Sequence, residues 1–406
     1  MILQSDAANK ENTMIIQLER LKQSLLELSE FGKQPNGGVT RISYSEEYEQ
    51  AVDYVAKKMQ QIGMDVWRDP IGNLFGKLQG RVDDVILLGS HIDSVPNGGM
   101  FDGCLGVMGA LEVVYSISRQ KESLYHSIVV AAFIDEEGGA VLGTLGSKSF
   151  CGQDFSEFLS EEKLHKVNRT VEDIRASRGD LSRVRFYLEM HIEQGGILEQ
   201  EHLSLGLVEG IVGILRFSVS VPGKANHAGC TPMHLREDAL RKAINIIETL
   251  YRMTEETQSN MVATVGQLVV YPGAANVIPG KVEFVIELRD MDRDRMLSVI
   301  HSLSDAVKQS GAKFKQIMEE PSVKMAPEIV DTLETAANAL GYSWKRMVSG
   351  AGHDAIPLAQ KTRAGMIFIP SINGVSHCPE EFSKWEDVET GTNLLLDTVL
   401  RLDKMR

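Results

Sequence analysis

Five residues of the kinds that bind transition metals stand out in this 406-residue chain: His91, Asp102, Glu137, His191 and His377, with a second carboxylate, Glu136, beside Glu137. Imidazole and carboxylate without thiolate suit zinc, manganese or cobalt, and the ligand types alone do not choose among them. Three such groups and a water describe one catalytic zinc site. Five, with one carboxylate shared, describe two divalent ions about 3.5 Å apart. Asp102 is the candidate for the shared carboxylate, because Phe101-Asp102-Gly103 reads as a tight turn before a helix. Asp93, two residues past His91, is placed to orient that imidazole from behind. Glu136 and Glu137 are adjacent and point apart on any regular element. One can therefore bind metal while the other acts as a general base, its proton affinity set by the cations and by burial. Water activated at such a centre and attacking an acyl carbon, with a glutamate moving protons, is amide-type hydrolysis.

A lone His or Asp beside a strand is more often structural or solvated; the joint placement is what argues for a site. Val85-Ile86-Leu87-Leu88 leads into His91, Ile128 to Ile134 into Glu136-Glu137, Val184 to Leu188 into His191, and Met366 to Ile369, through a Gly-containing loop, to His377. Apolar runs of this length between helical patterns predict buried parallel strands. In an open α/β sheet the ligand crevice lies beyond the carboxyl ends of the strands, so four strands would deliver ligands to one edge. Helical spacing covers residues 14–30 and 49–62, and Gly106 to Ile117 reads as the helix after the first ligand strand.

From about residue 213 the pattern changes. Ile214–Val221 reads as a strand, Leu235–Met253 as a helix, Met261–Val270 and Val282–Leu288 as strands, Arg295–Ser310 as a helix and Ala312–Met318 as a last strand. The order βαββαβ is ferredoxin-like, with helices on one face of an antiparallel sheet. After about residue 327 the αβ alternation resumes. The expected organisation is an α/β domain over 1–212 and 328–406, with an α+β domain inserted at 213–327.

Composition narrows the function. A chain of this length predicts two domains. The net charge of −14 argues against nucleic acid and anionic membrane surfaces as partners. Cys104, Cys151, Cys230 and Cys378 are far apart, with no C-x-x-C pair, which suits a reducing compartment and offers neither a disulfide framework nor a thiolate zinc site. Met1 to Arg20 is polar and charged, without a leader-like apolar core, so a cytoplasmic location is expected. His126, His165, His202, His234 and His301 stand in polar or helical surroundings and are expected at the surface. Cys104 and Cys378, which flank candidate ligands, are expected to be packing groups. His191-Ile192-Glu193 has the H-x-E spacing of zinc deaminases, but no P-C-x-x-C accompanies it.

The chain resembles the carbamoylase and allantoate amidohydrolase branch of the dinuclear-metal aminoacylase and carboxypeptidase superfamily. The matching stretches are Gly37-Gly38-Val39-Thr40-Arg41, Gly89-Ser90-His91-Ile92-Asp93-Ser94-Val95 and Asn97-Gly98-Gly99-Met100-Phe101-Asp102-Gly103. Further along come Glu189-Met190-His191-Ile192-Glu193-Gln194-Gly195, His227-Ala228-Gly229-Cys230-Thr231-Pro232-Met233 and Asn276-Val277-Ile278-Pro279. Ser349-Gly350-Ala351-Gly352-His353-Asp354-Ala355 and Gly374-Val375-Ser376-His377 complete the set.

The resemblance implies a layered, metallopeptidase-like catalytic domain and an inserted lid and dimerisation domain. It implies two divalent ions held by His91, His191, Glu137 and His377 with Asp102 bridging, and Glu136 as the base. It also implies a homodimer in which His227 of one subunit stabilises the oxyanion forming in the other. Gln194, Asn276, Arg289 and His353 match substrate-side positions, and the Arg289 guanidinium fork suits a carboxylate. The activity implied is hydrolysis of the ureido C–N bond of an N-carbamoyl-L-amino acid. Allantoate hydrolysis is the near alternative, carried by Ile369-Pro370-Ser371-Ile372-Asn373-Gly374 and Met318-Glu319-Glu320-Pro321. An aminoacylase or dipeptidase cutting a true amide, and a metal-binding protein that has lost catalysis, are more distant readings; an intact Glu136 argues against the last. Two departures are visible. Relatives place a small residue and then Arg-Phe after the Glu-Glu-Gly motif, where this chain reads Gly139-Ala140-Val141-Leu142. Cys104 and Cys378 replace a proline and a serine or asparagine.

Overall fold

The computed structural model describes residues 14–119, 124–155 and 159–405. The first thirteen residues, part of the polar stretch read above for a leader, lie outside the described residues. The chain forms two compact units: a larger one built from the chain through Glu209, Met325–Met347 and the segment from Gly352 on, and a smaller one of Gly210–Lys324 with Val348–Ala351.

In chain order the strands are β1 (Asp65–Arg68), β2 (Leu74–Leu78), β3 (Val85–His91), β4 (Ser127–Phe133), β5 (Val184–Ile192) and β6 (Leu205–Ile211). The smaller unit follows with β7 (Gly213–Pro222), β8 (Val262–Tyr271), β9 (Lys281–Asp290), β10 (Lys313–Glu320) and the short β11 (Val323–Lys324). β12 (Trp344–Ser349) and β13 (Arg363–Ile369) complete the list.

The sheet of the larger unit runs β1-β2-β4-β3-β5-β13-β6. Its middle is parallel: β3 pairs in parallel with β4 and β5, and β13 pairs in parallel with β5. Every residue of β3 and β4 is buried, as expected of parallel strands covered on both faces. The helix Cys104–Ser118 buries twelve of its fifteen residues. Gly106 lets it lie close to β5, since a Cβ there would come within 2.5 Å of the Met190 carbonyl oxygen. Residues such as Ile86, Leu88, Val130 and Leu188 form one core, each stabilising the fold by about 1.5–3 kcal/mol relative to exposure.

The smaller unit has the order β10-β7-β9-β8, all antiparallel. Its helices, Ala239–Glu256 and Arg293–Ala306, contribute Ala243, Ile246, Leu250, Val299 and Leu303 to a separate core with Leu215, Val219, Phe284 and Ile286. Buried and less buried residues alternate along β7 and β9, the mark of a sheet covered on one face. Both helices start where an aspartate caps them: Asp238 accepts from the amides of Leu240 and Arg241, and Asp292 from those of Asp294 and Arg295. That places the first helix start four residues later than periodicity suggests and the second two residues earlier. Val348–Ala351 joins this unit through Val212 N–H donating to Ser349 O and Arg289 Nη1 donating to Gly350 O.

One surface expectation is overturned. His126 is buried, 2% exposed, because its amide and Nδ1 both face the Asp403 carboxylate at 2.7 and 3.3 Å. His165, His202, His234 and His301 are exposed. Among the described residues no helix is long and apolar enough to cross a membrane.

Candidate metal centre

The strand order sets β4, β3, β5 and β13 side by side and parallel, so their carboxyl ends share one edge. His91 closes β3 and His191 sits one residue before the end of β5. Glu136 and Glu137 follow β4 on a turn that Asp135 begins with φ 58°. The Asp135 carboxylate accepts from the amides of Ala140, Val141 and Leu142 and folds the loop back. This is the loop that lacks Arg-Phe. His377 arrives past β13 with φ 57°.

The five ligand candidates meet in two groups that share one residue: His91, Asp102 and His191, and Asp102, Glu137 and His377. Asp102 divides its oxygens between them. Its Oδ1 lies 3.4 Å from His91 Nε2 and 3.1 Å from His191 Nε2, while its Oδ2 lies 3.2 Å from His377 Nε2. Glu137 Oε1 is 3.6 Å from His377 Nε2. The two other imidazole nitrogens are committed to backbone carbonyls: His91 Nδ1 to Asp93 O at 3.1 Å and His191 Nδ1 to Ile192 O at 2.9 Å. Both rings thus turn Nε2 toward Asp102. Gly103, φ 63°, makes room for this, since a Cβ there would lie 2.4 Å from the His91 ring.

Asp93 does more than face His91. Its Oδ1 accepts from the Glu136 amide at 3.3 Å and its Oδ2 from the Glu137 amide at 3.2 Å, fastening the end of β3 to the Glu136-Glu137 turn. Glu136 belongs to neither ligand group; its Oε2 stands 3.7 Å from His91 Nε2. Gln194 Nε2 donates to Asp102 Oδ2 at 2.7 Å, and its backbone amide is held by Ser371 Oγ. His353 is buried and packs edge-on against His191, ring centroids 4.5 Å apart.

Electrostatics fit cations here. Burial holds the Glu136 carboxyl well above the usual carboxylate range, with Asp354 and Glu137 adding to it. Burial, then Asp102, pushes Glu137 up to about 7. The hydrogen bond to Asp102 raises His377 to about 9. Glu137 Oε1 is buried without a hydrogen-bond partner among the described residues, a costly position for a carboxylate oxygen unless a cation meets it. Both groups can hold a metal ion, and two sets of nitrogen and oxygen donors sharing a carboxylate suit a pair of divalent ions.

Other contributors carried no spacing signal. Glu189, fully buried, accepts from Ser90 Oγ, Tyr187 Oη and the Ala355 amide beneath His191. Arg41, also buried, donates to Ile92 O, Leu28 O, Phe31 O and Cys104 Sγ. Cys104 is thus a buried packing and acceptor group. Glu381 and Ser376 link the Asp102 and His377 loops.

Three predicted residues lie on the smaller unit. His227 and Val277 form an isolated β-bridge, and Ala228 N–H donates to Asn276 O, which sets His227 and Asn276 on paired stretches. His227 Nδ1 accepts from the amides of Gly229 and Cys230, both at 3.1 Å. The ring proton is therefore on Nε2. Arg289 donates from Nε to Glu287 Oε1 and from Nη1 to Gly350 O.

The chain is similar to several known proteins. Residues 87–401 match the model of Peptidase family M20/M25/M40. An N-carbamoyl-L-amino acid amidohydrolase of Geobacillus stearothermophilus is 39% identical, covering 96% of this chain and 99% of that protein. An allantoate amidohydrolase of Bacillus subtilis is 33% identical, covering 92% and 95%. The crystal structure of an amidase of the hydantoinase/carbamoylase family from Burkholderia multivorans superposes with TM-score 0.87 at 32% identity, over 96% of this chain and 98% of that one. The chain belongs to Peptidase family M20/M25/M40, as a hydrolase of the amidohydrolase branch that holds the carbamoylases and allantoate amidohydrolases.

Proposed function

We propose that this chain hydrolyses the carbamoyl C–N bond of N-carbamoyl-L-amino acids, releasing the amino acid, CO2 and ammonia. The observation that carries the reading is the division of Asp102, each oxygen facing a separate ligand group while Glu136 stays outside both. His91, Asp102 and His191 would hold one divalent ion, zinc, manganese or cobalt, and Asp102, Glu137 and His377 the other; when bound, the pair supplies Lewis-acid polarisation and a more acidic water. Glu136 takes the proton of the attacking water and delivers it to the departing nitrogen. Asp93 keeps the Glu136 backbone in place by accepting a hydrogen bond from its amide.

His227, with its proton on Nε2, donates to the oxyanion as the tetrahedral centre forms. In this reading it comes from a second copy of the chain. The exposed apolar residues of β8 (Val262, Leu268, Val269, Tyr271) and Ile244 of the helix beside it support a homodimer through this unit, because an uncovered edge strand is a template for pairing. Arg289 grips the substrate carboxylate, with Asn276, Gln194 and His353 shaping the rest of the site. The four cysteines, all free, suit a cytoplasmic setting.

Allantoate is the second reading, favoured by the Ile369–Gly374 segment and the Bacillus subtilis relative at 33% identity; the higher identity to the carbamoylase, 39%, places it second. Ammonia release is the test, with protein loaded in turn with zinc, manganese and cobalt. N-carbamoyl-L-amino acids should turn over fastest. Ammonia from allantoate alone would favour the second reading, and cleavage of N-acetyl amino acids without any ureido substrate would sink both.

A further inference from the structure

Glu381 lies in the loop after His377 and is 3% exposed. Its Oε1 accepts from the backbone amides of Phe101 and Asp102, each at 3.1 Å. Its Oε2 accepts from Ser376 Oγ at 2.6 Å, and that hydroxyl is also 3.1 Å from Asp102 Oδ2. Asp102 Oδ2 is the oxygen that faces His377. The space for the carboxylate is cut into the facing loop: a Cβ at Gly99 would lie 2.1 Å from Glu381 Oε1. One buried carboxylate thus fastens the turn carrying Asp102, by its backbone, to the residue before His377, by its side chain.

We propose that Glu381 is the positioning residue that keeps the two Asp102 oxygens divided between the two ligand groups, and that its Ser376 arm governs the group made by Asp102, Glu137 and His377. The assignment rests on the two-ion reading above. A shared carboxylate binds two ions only while its plane is fixed, and free rotation of the Phe101–Asp102 backbone would swing both oxygens together. Hydrogen-bond partners behind ligands change metal affinity by about 10–100-fold. Glu381→Ala removes both arms and should weaken both ions by about that factor. Ser376→Ala removes one arm and should weaken one ion only. Glu381→Gln keeps an oxygen for the two amides but replaces the acceptor facing Ser376. It should therefore behave like Ser376→Ala and unlike Glu381→Ala.

Metal-free full-length protein is titrated with zinc and, separately, manganese by calorimetry, and metal content is measured after dialysis. Circular dichroism of the metal-free variants reports folding. If Glu381→Ala fails to fold, the Gln and Ser376→Ala variants carry the test. Two ions in the wild type, with one selectively weakened in those two variants, is the expected result. Wild-type affinity at both sites in folded variants, or equal weakening of both ions in all of them, would overturn the assignment. Fewer than two ions in the wild type would overturn the two-ion reading and this inference with it.

Discussion

The sheet edge of the larger unit and the four-stranded sheet of the smaller one hold their candidate residues in opposite ways. At the edge, His91, Asp93, Asp102 and His191 are buried, and Asp93 and Asp102 are held by groups far away in sequence. His191 Nε2 accepts from the Gly103 amide, 88 residues away, while the other nitrogen of each histidine ring meets a carbonyl of its own strand end. On the smaller unit, His227 and Asn276 are exposed; the His227 ring is held by amides two and three residues away, and Asn276 is tied through its carbonyl to the Ala228 amide on the paired stretch. Arg289 is intermediate, tied to Glu287 two residues away and to Gly350. Burial with reciprocal hydrogen bonds fixes geometry in advance, which suits ligands that must not move. Local anchoring at an exposed site leaves a group free to meet a partner or a substrate, which suits recognition that completes on closure. In the proposed reading the first region holds the metal ligands and the base, and the second supplies the groups that meet a second copy or the substrate carboxylate, a division that experiment can break.

Glu136→Gln should have the largest effect. It leaves both ligand groups intact, so metal content should match the wild type while kcat falls by about 10² to 10⁴-fold. Both are measured on one preparation. Near-normal turnover would remove Glu136 from the reaction, and loss of metal would make it a ligand.

Arg289→Ala tests the recognition side. Truncating a charged contact of this kind costs on the order of 2–5 kcal/mol, or about 30-fold to several thousand-fold in kcat/KM. The loss should shrink for a ureido substrate without a carboxylate. Equal losses for both substrates would make Arg289 structural, a part for which its bonds to Glu287 and Gly350 already qualify it.

The contrast between the regions also explains what could be read from sequence. The ligand candidates His91, Glu137, His191 and His377 were legible because each ends or follows an apolar run, and such runs build parallel strands whose ends share an edge; Asp102 was legible from the tight turn before a helix. The βαββαβ order was legible from alternation along single-face strands. Glu381, Glu189 and Arg41 were not, because a charged residue in a loop or strand carries no periodic signal; each is defined by partners brought in by the tertiary fold. The burial of His126 was missed for the same reason, its partner Asp403 lying at the far end of the chain. The addition of Val348–Ala351 to the smaller unit rests on two hydrogen bonds that no local pattern announces.

Protons at the sheet edge give a third, smaller effect. Without metal, His377 holds its proton up to about 9 and Glu137 up to about 7. Both protons must leave before the side chains bind a cation. Metal affinity of the metal-free protein should therefore rise with pH across this range, by up to about tenfold per pH unit for each proton released. Calorimetry in two buffers of different ionisation heat counts the protons. No release at neutral pH would mean that metal does not displace the protons of these two groups.

The smallest expected signal bears most directly on the comparison, because it asks whether the two regions serve each other within one chain or between chains. Glu136→Gln retains His227 but lacks the base; His227→Ala retains the base but lacks the oxyanion donor. Each alone should be nearly inactive. If His227 acts on a second copy, a mixed dimer holds one site with both groups, and random mixing restores about a quarter of the wild-type sites. If His227 acts within its own subunit, every site in every dimer lacks one group and nothing returns. Subunit exchange is followed independently with a size tag on one variant, so that absence of activity is read only where mixed dimers are present. Recovery near a quarter would assign His227 to the neighbouring site, and mixed dimers without recovery would confine it to its own subunit or remove it from the reaction.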